Sequence, residues 1–144
     1  MKYKILVIDG QGGGLGKAIV ERLRQAFADR FELIAVGTNA FAAQAMMKAG
    51  ADAAASGESA VVYNCRKADL IIGPIGILTA GSMLGELSPA MAAAIAASDA
   101  EKVLIPLNRC HLQVVGVGEE SMPGRLEQMT ALVGRLMAER DELG

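Results

Sequence analysis

The stretch VIDGQGGGLGKAIVERL, residues Val7–Leu23, is the strongest indication of the fold in this sequence. Five glycines fall within seven residues, at positions 10, 12, 13, 14 and 16, between a branched apolar run and an amphipathic run. A strand, a glycine loop and a helix in this order leave free N–H groups at the start of the helix, where they attract an anion. The stretch predicts a phosphate-bearing ligand, and the alternative is a tight turn from strand to helix that binds nothing.

The rest of the chain alternates strand-like and helix-like segments. Predicted strands cover residues 4–8, 32–36, 51–56, 70–72, 103–107 and 112–117, and predicted helices begin near Leu15, Ala40, Pro89 and Pro123. Residues 59–68 fit either a helix or a strand. This alternation predicts an α/β fold with a doubly wound, mostly parallel, Rossmann-like sheet in a single domain, residues 1–144. Such sheets bind their ligands outside the carboxyl ends of the strands, where the winding reverses.

Composition excludes several classes of function. The 144 residues are 52% hydrophobic and carry a net charge of −2 without a run of Lys or Arg, so nucleic-acid binding is not expected. No apolar run approaches the roughly 18 residues of a membrane span, and the start is too short for a signal peptide, so a cytoplasmic protein is expected. Two cysteines in separate segments and one histidine give no paired-ligand spacing, so no metal site is predicted.

Residues that follow the first, second, fourth and fifth predicted strands should meet at one edge of the sheet. We expect the cofactor to be NAD(P) or another phosphate-bearing nucleotide. The predicted cofactor-binding residues are Asp9, Gly10, Gly12, Gly13, Gly14, Leu15, Gly16, Thr38, Asn39, Gly73, Pro74, Gly76 and Arg109. Arg109 is included because it can pair with a phosphate. His111 is a candidate acid or base, with a hydrogen-bonded loop histidine as the alternative, and no convincing catalytic pair is present.

Asp9 is an unusual neighbour for a phosphate. A carboxylate about 4 Å from a phosphate charge costs on the order of 1–4 kcal/mol in water or near a surface. Three roles are therefore open for Asp9. It can accept N–H bonds from its own glycine loop, which we rank first, or bind a ligand hydroxyl, or hold a magnesium ion that bridges to the phosphate.

The glycine stretch resembles the cofactor loop of the short-chain dehydrogenase/reductase family, which reads T-G-x-x-x-G-[IL]-G. DLIIGPIGI, residues 69–77, is similar to the strand-four segment of that family, D-V-L-V-N-N-A-G-I. The resemblance implies a nicotinamide cofactor. However, Asp9 stands where the family has Thr. The second strand also ends without the acidic residue that holds the ribose of NAD and without an arginine for the 2′-phosphate of NADP. Tyr63 and Lys67 have the Y-x-x-x-K spacing of the catalytic pair, but they precede the fourth strand instead of following the fifth.

The whole chain resembles a family of small bacterial proteins, a domain of unknown function, whose members open with I-D-G-Q-G-G-G-[IL]-G. Segments that carry this resemblance are GTNA, AGAD, DLIIGPIGI, MLGELSPAMA and LIPLNRC. They cover most of the chain and include Asp9. The resemblance implies no activity.

The sequence leaves three hypotheses for function. The first is a nucleotide-binding Rossmann-like protein, the second a small NAD(P)-dependent oxidoreductase, and the third a non-catalytic sensor that responds to a nucleotide. We also expect a homodimer, because an apolar chain with few aromatic residues leaves helix surface to cover. Leu132, Leu136 and Met137 of the last helix are the expected contact.

Overall fold

A computed structural model describes residues 2–107 and 111–143. The strands are β1 (Tyr3–Asp9), β2 (Phe31–Gly37), β3 (Ala53–Ser56), β4 (Leu70–Pro74) and β5 (Glu101–Ile105). The α-helices are α1 (Gly14–Phe27), α2 (Ala40–Ala49), α3 (Glu58–Cys65), α4 (Pro89–Ala97) and α5 (Met122–Leu143). A short 3-10 helix, Ile75–Leu78, follows β4.

The strands form one sheet in the order β3-β2-β1-β4-β5, and every neighbouring pair is parallel. The chain winds outward from β1 through β2 to β3 and then crosses back to β4, so the winding reverses between β1 and β4. The Rossmann-like α/β fold predicted from the sequence is confirmed. The glycine loop leaves β1 at the point of reversal, which is where such sheets bind ligands.

Both faces of the sheet are covered, which explains why the strands read as continuous apolar runs. Ile5 and Val7 of β1 join a core with α1, α2 and α5. Leu6 and Ile8 point to the other face and join a second core with α3 and α4. All four side chains are almost fully buried. The alternation within β1 fixes its register against both helical layers.

The predicted strand over residues 112–117 is wrong. This segment is an exposed loop with a turn at Val115 and Gly116, and Gly116 has a φ of 93°. Branched residues favour a strand only when a neighbouring strand and a packed face are available, and this segment has neither. The ambiguous residues 59–68 fall mostly in α3.

The last helix packs on the core of its own chain. Leu126, Met129, Val133 and Met137 are buried in the core beside α1, and Leu132 and Leu136 are partly buried against the same core. The residues expected to contact a second copy therefore stabilise the chain itself. In the part of the chain that the structure describes, no helix has the length and apolar character needed to cross a membrane.

Candidate functional site

The glycine loop makes a tight turn between β1 and α1. The N–H of Gly13 donates to the carbonyl of Gly10 at 2.9 Å, and Gly13 has a φ of 73°, in the left-handed region. A Cβ at Gly13 would lie 2.8 Å from the Cα of Ala42. Both the backbone conformation and the space require glycine at this position.

Asp9 holds this turn with both carboxylate oxygens. Oδ1 accepts the N–H of Gly10 at 2.8 Å, and Oδ2 accepts the N–H of Gly16 at 2.7 Å. Gly13, at the N-cap position of α1, has no side chain to cap the helix, so Asp9 satisfies the third N–H of α1 from the end of β1. These two bonds match the role ranked first for Asp9 in the sequence analysis, in which its carboxylate accepts N–H bonds from its own glycine loop. Burial raises the pKa of Asp9, the two N–H bonds oppose that shift, and the nearby Glu86 adds to it.

Two of the glycines predicted to bind a ligand are required by packing. A Cβ at Gly16 would lie 2.5 Å from the sulfur of Met46 and 2.9 Å from the Cβ of Asp9. A Cβ at Gly73 would lie 2.4 Å from the carbonyl oxygen of Ile8. Gly16 lets α1 approach α2 and the end of β1, and Gly73 lets β4 lie close beside β1. Neither glycine lines the cavity described below.

Three backbone N–H groups of the loop are left without an acceptor among the described residues. They belong to Gly12, Gly14 and Leu15, and the last two are the first residues of α1. A Cβ at Gly12 or Gly14 would have no neighbour within 4 Å, so both residues border open space. Free N–H groups and the positive end of the helix dipole together favour an anion at this position.

A cavity of about 520 Å³ lies in front of these N–H groups. Its floor is the glycine loop, and its position is the reversal point between β1 and β4. Pro74 and Gly76, at the end of β4, form one wall. The apolar walls are Ala18, Met83, Leu84, Leu107 and Met122.

Most of the predicted site residues meet at this cavity, although four do not line it. Gly16 and Gly73 pack behind it, and Thr38 and Asn39 lie at the end of β2, where they bind another part of the chain. Arg109 lies outside the described residues. The predicted residues that line the cavity are Asp9, Gly10, Gly12, Gly13, Gly14, Leu15, Pro74 and Gly76.

Glu86 is a residue of the site that the sequence patterns did not predict. It lies in the loop between β4 and α4, and its Oε1 accepts three hydrogen bonds at the end of β2 and on the glycine loop. The donors are Thr38 Oγ1 at 2.6 Å, Asn39 Nδ2 at 2.8 Å and the N–H of Gln11 at 2.9 Å. These bonds lower the pKa of Glu86, the Thr38 bond most. The available signal was that Glu86 is the one acidic residue in the glycine-rich segment 73–89.

The family model for a domain of unknown function, DUF3842, matches residues 4–138. The chain belongs to this family. A comparison with proteins of curated function gives no match. Among solved structures, the chain is similar to the crystal structure of a dodecameric FMN-dependent UbiX-like decarboxylase from Escherichia coli O157:H7. The TM-score is 0.46 at 16% sequence identity, over 92% of this chain and 75% of that one, and the likeness concerns the fold alone.

Other candidate groups of the DUF3842 chain lie away from the cavity. His111 is exposed and does not line it. Tyr63 lies on α3, and Lys67, in the turn after α3, donates from Nζ to the Tyr63 hydroxyl at 2.5 Å, beside residues from the first half of β1 and β2. Cys65 is buried, which raises the pKa of its thiol to about 11 and keeps it unreactive. Within residues 2–107 and 111–143, no three His, Cys, Asp or Glu side chains are grouped to hold a metal ion.

Proposed function

We propose that this DUF3842 domain binds a phosphate-bearing nucleotide at the glycine loop. The observation that carries the proposal is the set of three N–H groups, of Gly12, Gly14 and Leu15, that have no acceptor in the described chain and border the cavity. A phosphate oxygen placed there accepts several of these bonds at once. It also gains from the dipole of α1, a helix of 14 residues.

The walls of the cavity support a ligand with a flat apolar part. Met83, Leu84, Leu107 and Met122 contribute mostly hydrocarbon and thioether surface. Ligand pockets typically combine such walls with a few placed polar groups that fix the orientation of the ligand. A nucleotide has this division, since its phosphate is polar and the two faces of its base are not. NAD(P) belongs to this ligand class, as do mononucleotides.

The side chains that line the cavity favour a protein that binds a nucleotide without catalysing a reaction over an oxidoreductase. Asp9 is the one titratable side chain among the described lining residues, and both of its oxygens already accept N–H bonds. General acid–base catalysis needs a group that is free to reach the reacting proton. A nucleotide-responsive sensor therefore fits the site better than a reductase.

A thermal-shift titration with matched ligands tests the proposal. We expect FMN, AMP, NMN or a dinucleotide to raise the Tm of the protein, because a ligand that binds only the folded state stabilises it by mass action. The matched controls are riboflavin, adenosine and nicotinamide riboside, which keep the ring and the sugar but lack the phosphate. If the phosphate-free compounds shift the Tm equally, or if no compound shifts it, the proposal fails.

A further inference from the structure

The crevice of this sheet is open on one side of the glycine loop and closed on the other. The closing element is the segment between β4 and α4, residues 79–88, which we call the strap. The carboxylate of Glu86 in the strap joins the loop to the end of β2 through Gln11, Thr38 and Asn39, at distances of 2.6–2.9 Å. Asn39 also donates to the carbonyl of Gln11 at 2.9 Å, so the loop and the end of β2 are bonded directly as well.

No gap remains between the strap and the loop at Gly10. A Cβ at Gly10 would lie 2.3 Å from the hydroxyl of Thr38, 2.5 Å from the sulfur of Met83 and 3.1 Å from Oε1 of Glu86. Three side chains therefore converge on a position that only glycine leaves clear. Side chains of the protein itself therefore lie beside Gly10 at the end of β2.

The strap is also held from within. The N–H of Gly81 donates to the carbonyl of Leu87 at 2.8 Å, and the hydroxyl of Ser82 donates to the carbonyl of Gly76 at 2.6 Å. Leu87 is fully buried in the core beneath α3 and α4. The closed position is therefore fixed at the base of the strap as well as by Glu86.

The closed side of the crevice limits the size of the ligand that the site can hold. In doubly wound sheets a dinucleotide lies across the crevice, with its diphosphate at the first helix and the ribose of one nucleotide beyond the end of β2. In this chain Glu86 is hydrogen-bonded to Thr38 and Asn39 at that end of β2. The open cavity of about 520 Å³ lies on the other side, towards β4 and β5.

We propose that the site takes a single nucleotide on the side of β4 and β5, and that Glu86 excludes the second nucleotide of a dinucleotide. This inference rests on the proposed function and narrows its ligand class from nucleotides in general to mononucleotides. The phosphate lies at Gly12, Gly14 and Leu15, and the base lies against the apolar wall that includes Leu107 and Met122.

Isothermal titration with two nested ligand pairs tests the inference. FAD contains FMN, and NAD contains NMN, so each pair differs only by the added AMP part. We expect the wild-type protein to bind one of the mononucleotides at least about tenfold more tightly than the dinucleotide that contains it. In Glu86→Ala we expect the dinucleotide to approach the affinity of the mononucleotide, while the mononucleotide affinity stays within about twofold.

Two further variants keep the result interpretable. Glu127→Ala removes the same charge from an exposed position on α5 and should preserve the wild-type preference. Thr38→Val removes one of the three bonds to Glu86 at nearly constant volume, and it should move the preference in the same direction as Glu86→Ala even if that variant folds poorly. Circular dichroism of each variant checks that it is folded.

The outcomes separate the inference from the proposed function. If the wild-type protein binds nucleotides but prefers neither FMN over FAD nor NMN over NAD, the inference is overturned while nucleotide binding stands. If Glu86→Ala weakens the dinucleotide instead, Glu86 contacts that ligand and does not exclude it, which also overturns the inference. If no nucleotide of either kind binds, the proposed function fails together with it.

Discussion

Asp9 shows how one side chain can serve a helix that begins several residues later. Asp9 is 6% exposed, and each of its carboxylate oxygens accepts one backbone N–H of the loop. An aspartate at the N-cap itself would extend over the start of α1. An aspartate at the end of β1 reaches the third N–H of the helix from behind and leaves the first two free for a ligand.

We expect Asp9→Asn to lower the free energy of unfolding by about 1–3 kcal/mol, because one buried N–H of Gly10 or Gly16 would then face an amide NH₂ group instead of an oxygen. Urea denaturation measures the change. Asp29→Asn, at an exposed position, is the control and should be nearly neutral. An Asp9→Asn variant as stable as wild type would show that the two hydrogen bonds do not hold the loop.

The same variant separates the remaining roles of Asp9 in ligand binding. Both oxygens already have N–H partners, so we expect magnesium to leave nucleotide affinity unchanged in the wild-type protein. A loss of affinity in Asp9→Asn only when magnesium is present would instead indicate a metal bridge. A loss in both conditions would indicate a bond to a ligand hydroxyl.

Substitution of the loop glycines should have two different effects: at some positions it should remove ligand binding, and at others it should lower stability. Gly14→Val places its side chain in open space beside the free N–H groups, so we expect a folded protein that has lost nucleotide binding. Ala131→Val adds bulk on the exposed surface of α5 and should bind normally. A folded Gly14→Val variant that binds like wild type would rule out a phosphate at this loop.

Gly16→Ala should have the second effect. The added methyl group would overlap the side chains of Met46 and Asp9, and overpacking of this kind costs about 1–3 kcal/mol of stability. Gly12→Ala, with open space around it, is the matched control. Thermal denaturation of the two variants compares them, and equal Tm values would contradict the packing role of Gly16.

At the scale of elements, the strap is joined to the end of β2 by a carboxylate, and this makes its closure depend on pH. The three hydrogen bonds lower the pKa of Glu86 below its ordinary value of 4.5. A group whose pKa is lowered in the folded state contributes stability above its unfolded pKa and loses it as the pH falls through its folded pKa. The closed strap should therefore weaken in acid.

We expect the wild-type protein to lose more stability than Glu86→Gln between neutral pH and about pH 3, because the glutamine side chain has no charge to lose. Urea denaturation at both pH values measures the difference. The other acids titrate in both proteins and cancel in the comparison, except Asp9, whose pKa the charge of Glu86 raises in the wild-type protein alone; this is the smallest of the influences on Asp9. Glu127→Gln should behave like wild type, and an identical pH dependence in all three proteins would show that the bonds of Glu86 do not respond to pH.

The connection from β5 to α5 is the other element that departs from its sequence pattern. Leu112, Val114, Val115 and Val117 make a short, mostly branched apolar run of the kind found in strands, yet all four side chains are exposed and Val115 is fully exposed. An exposed apolar segment of this kind is a feature of association sites.

At the scale of the whole molecule, the homodimer stays a prediction, but its expected contact changes. The apolar side chains of α5 pack in the core of the chain, whereas those of the segment 112–117 are exposed. If two copies associate, we expect Val115→Lys to shift the protein toward monomer, because it would place a charge in the contact. Light scattering over a range of concentrations measures the mass.

Leu143→Lys, at an exposed position near the end of α5, is the control for that substitution and should leave the mass unchanged. A wild-type protein that is monomeric at high micromolar concentration would contradict the homodimer. A dimer that Val115→Lys does not weaken would place the contact elsewhere.

The sequence by itself determined the elements whose signals are local. The apolar run of β1, the glycine loop and the amphipathic pattern of α1 are adjacent in the chain, so their order alone predicts the turn and the free N–H groups. The alternation of strands and helices then predicts the parallel sheet, because a parallel connection needs a crossover. Ser88 and Pro89 likewise mark the start of α4, where the Ser88 side chain caps the N–H of Met91.

Only the tertiary structure decided what each residue of the loop does. Gly16 and Gly12 look alike in the sequence, and they differ because Met46, 30 positions further along the chain, packs against one and not the other. Glu86 lies 75 residues from Gln11, so no local pattern could show that its carboxylate joins the strap to the glycine loop and to the end of β2. The segment 112–117 reads as a strand because local propensity favours one, but a strand forms only where the fold supplies a neighbour to pair with it.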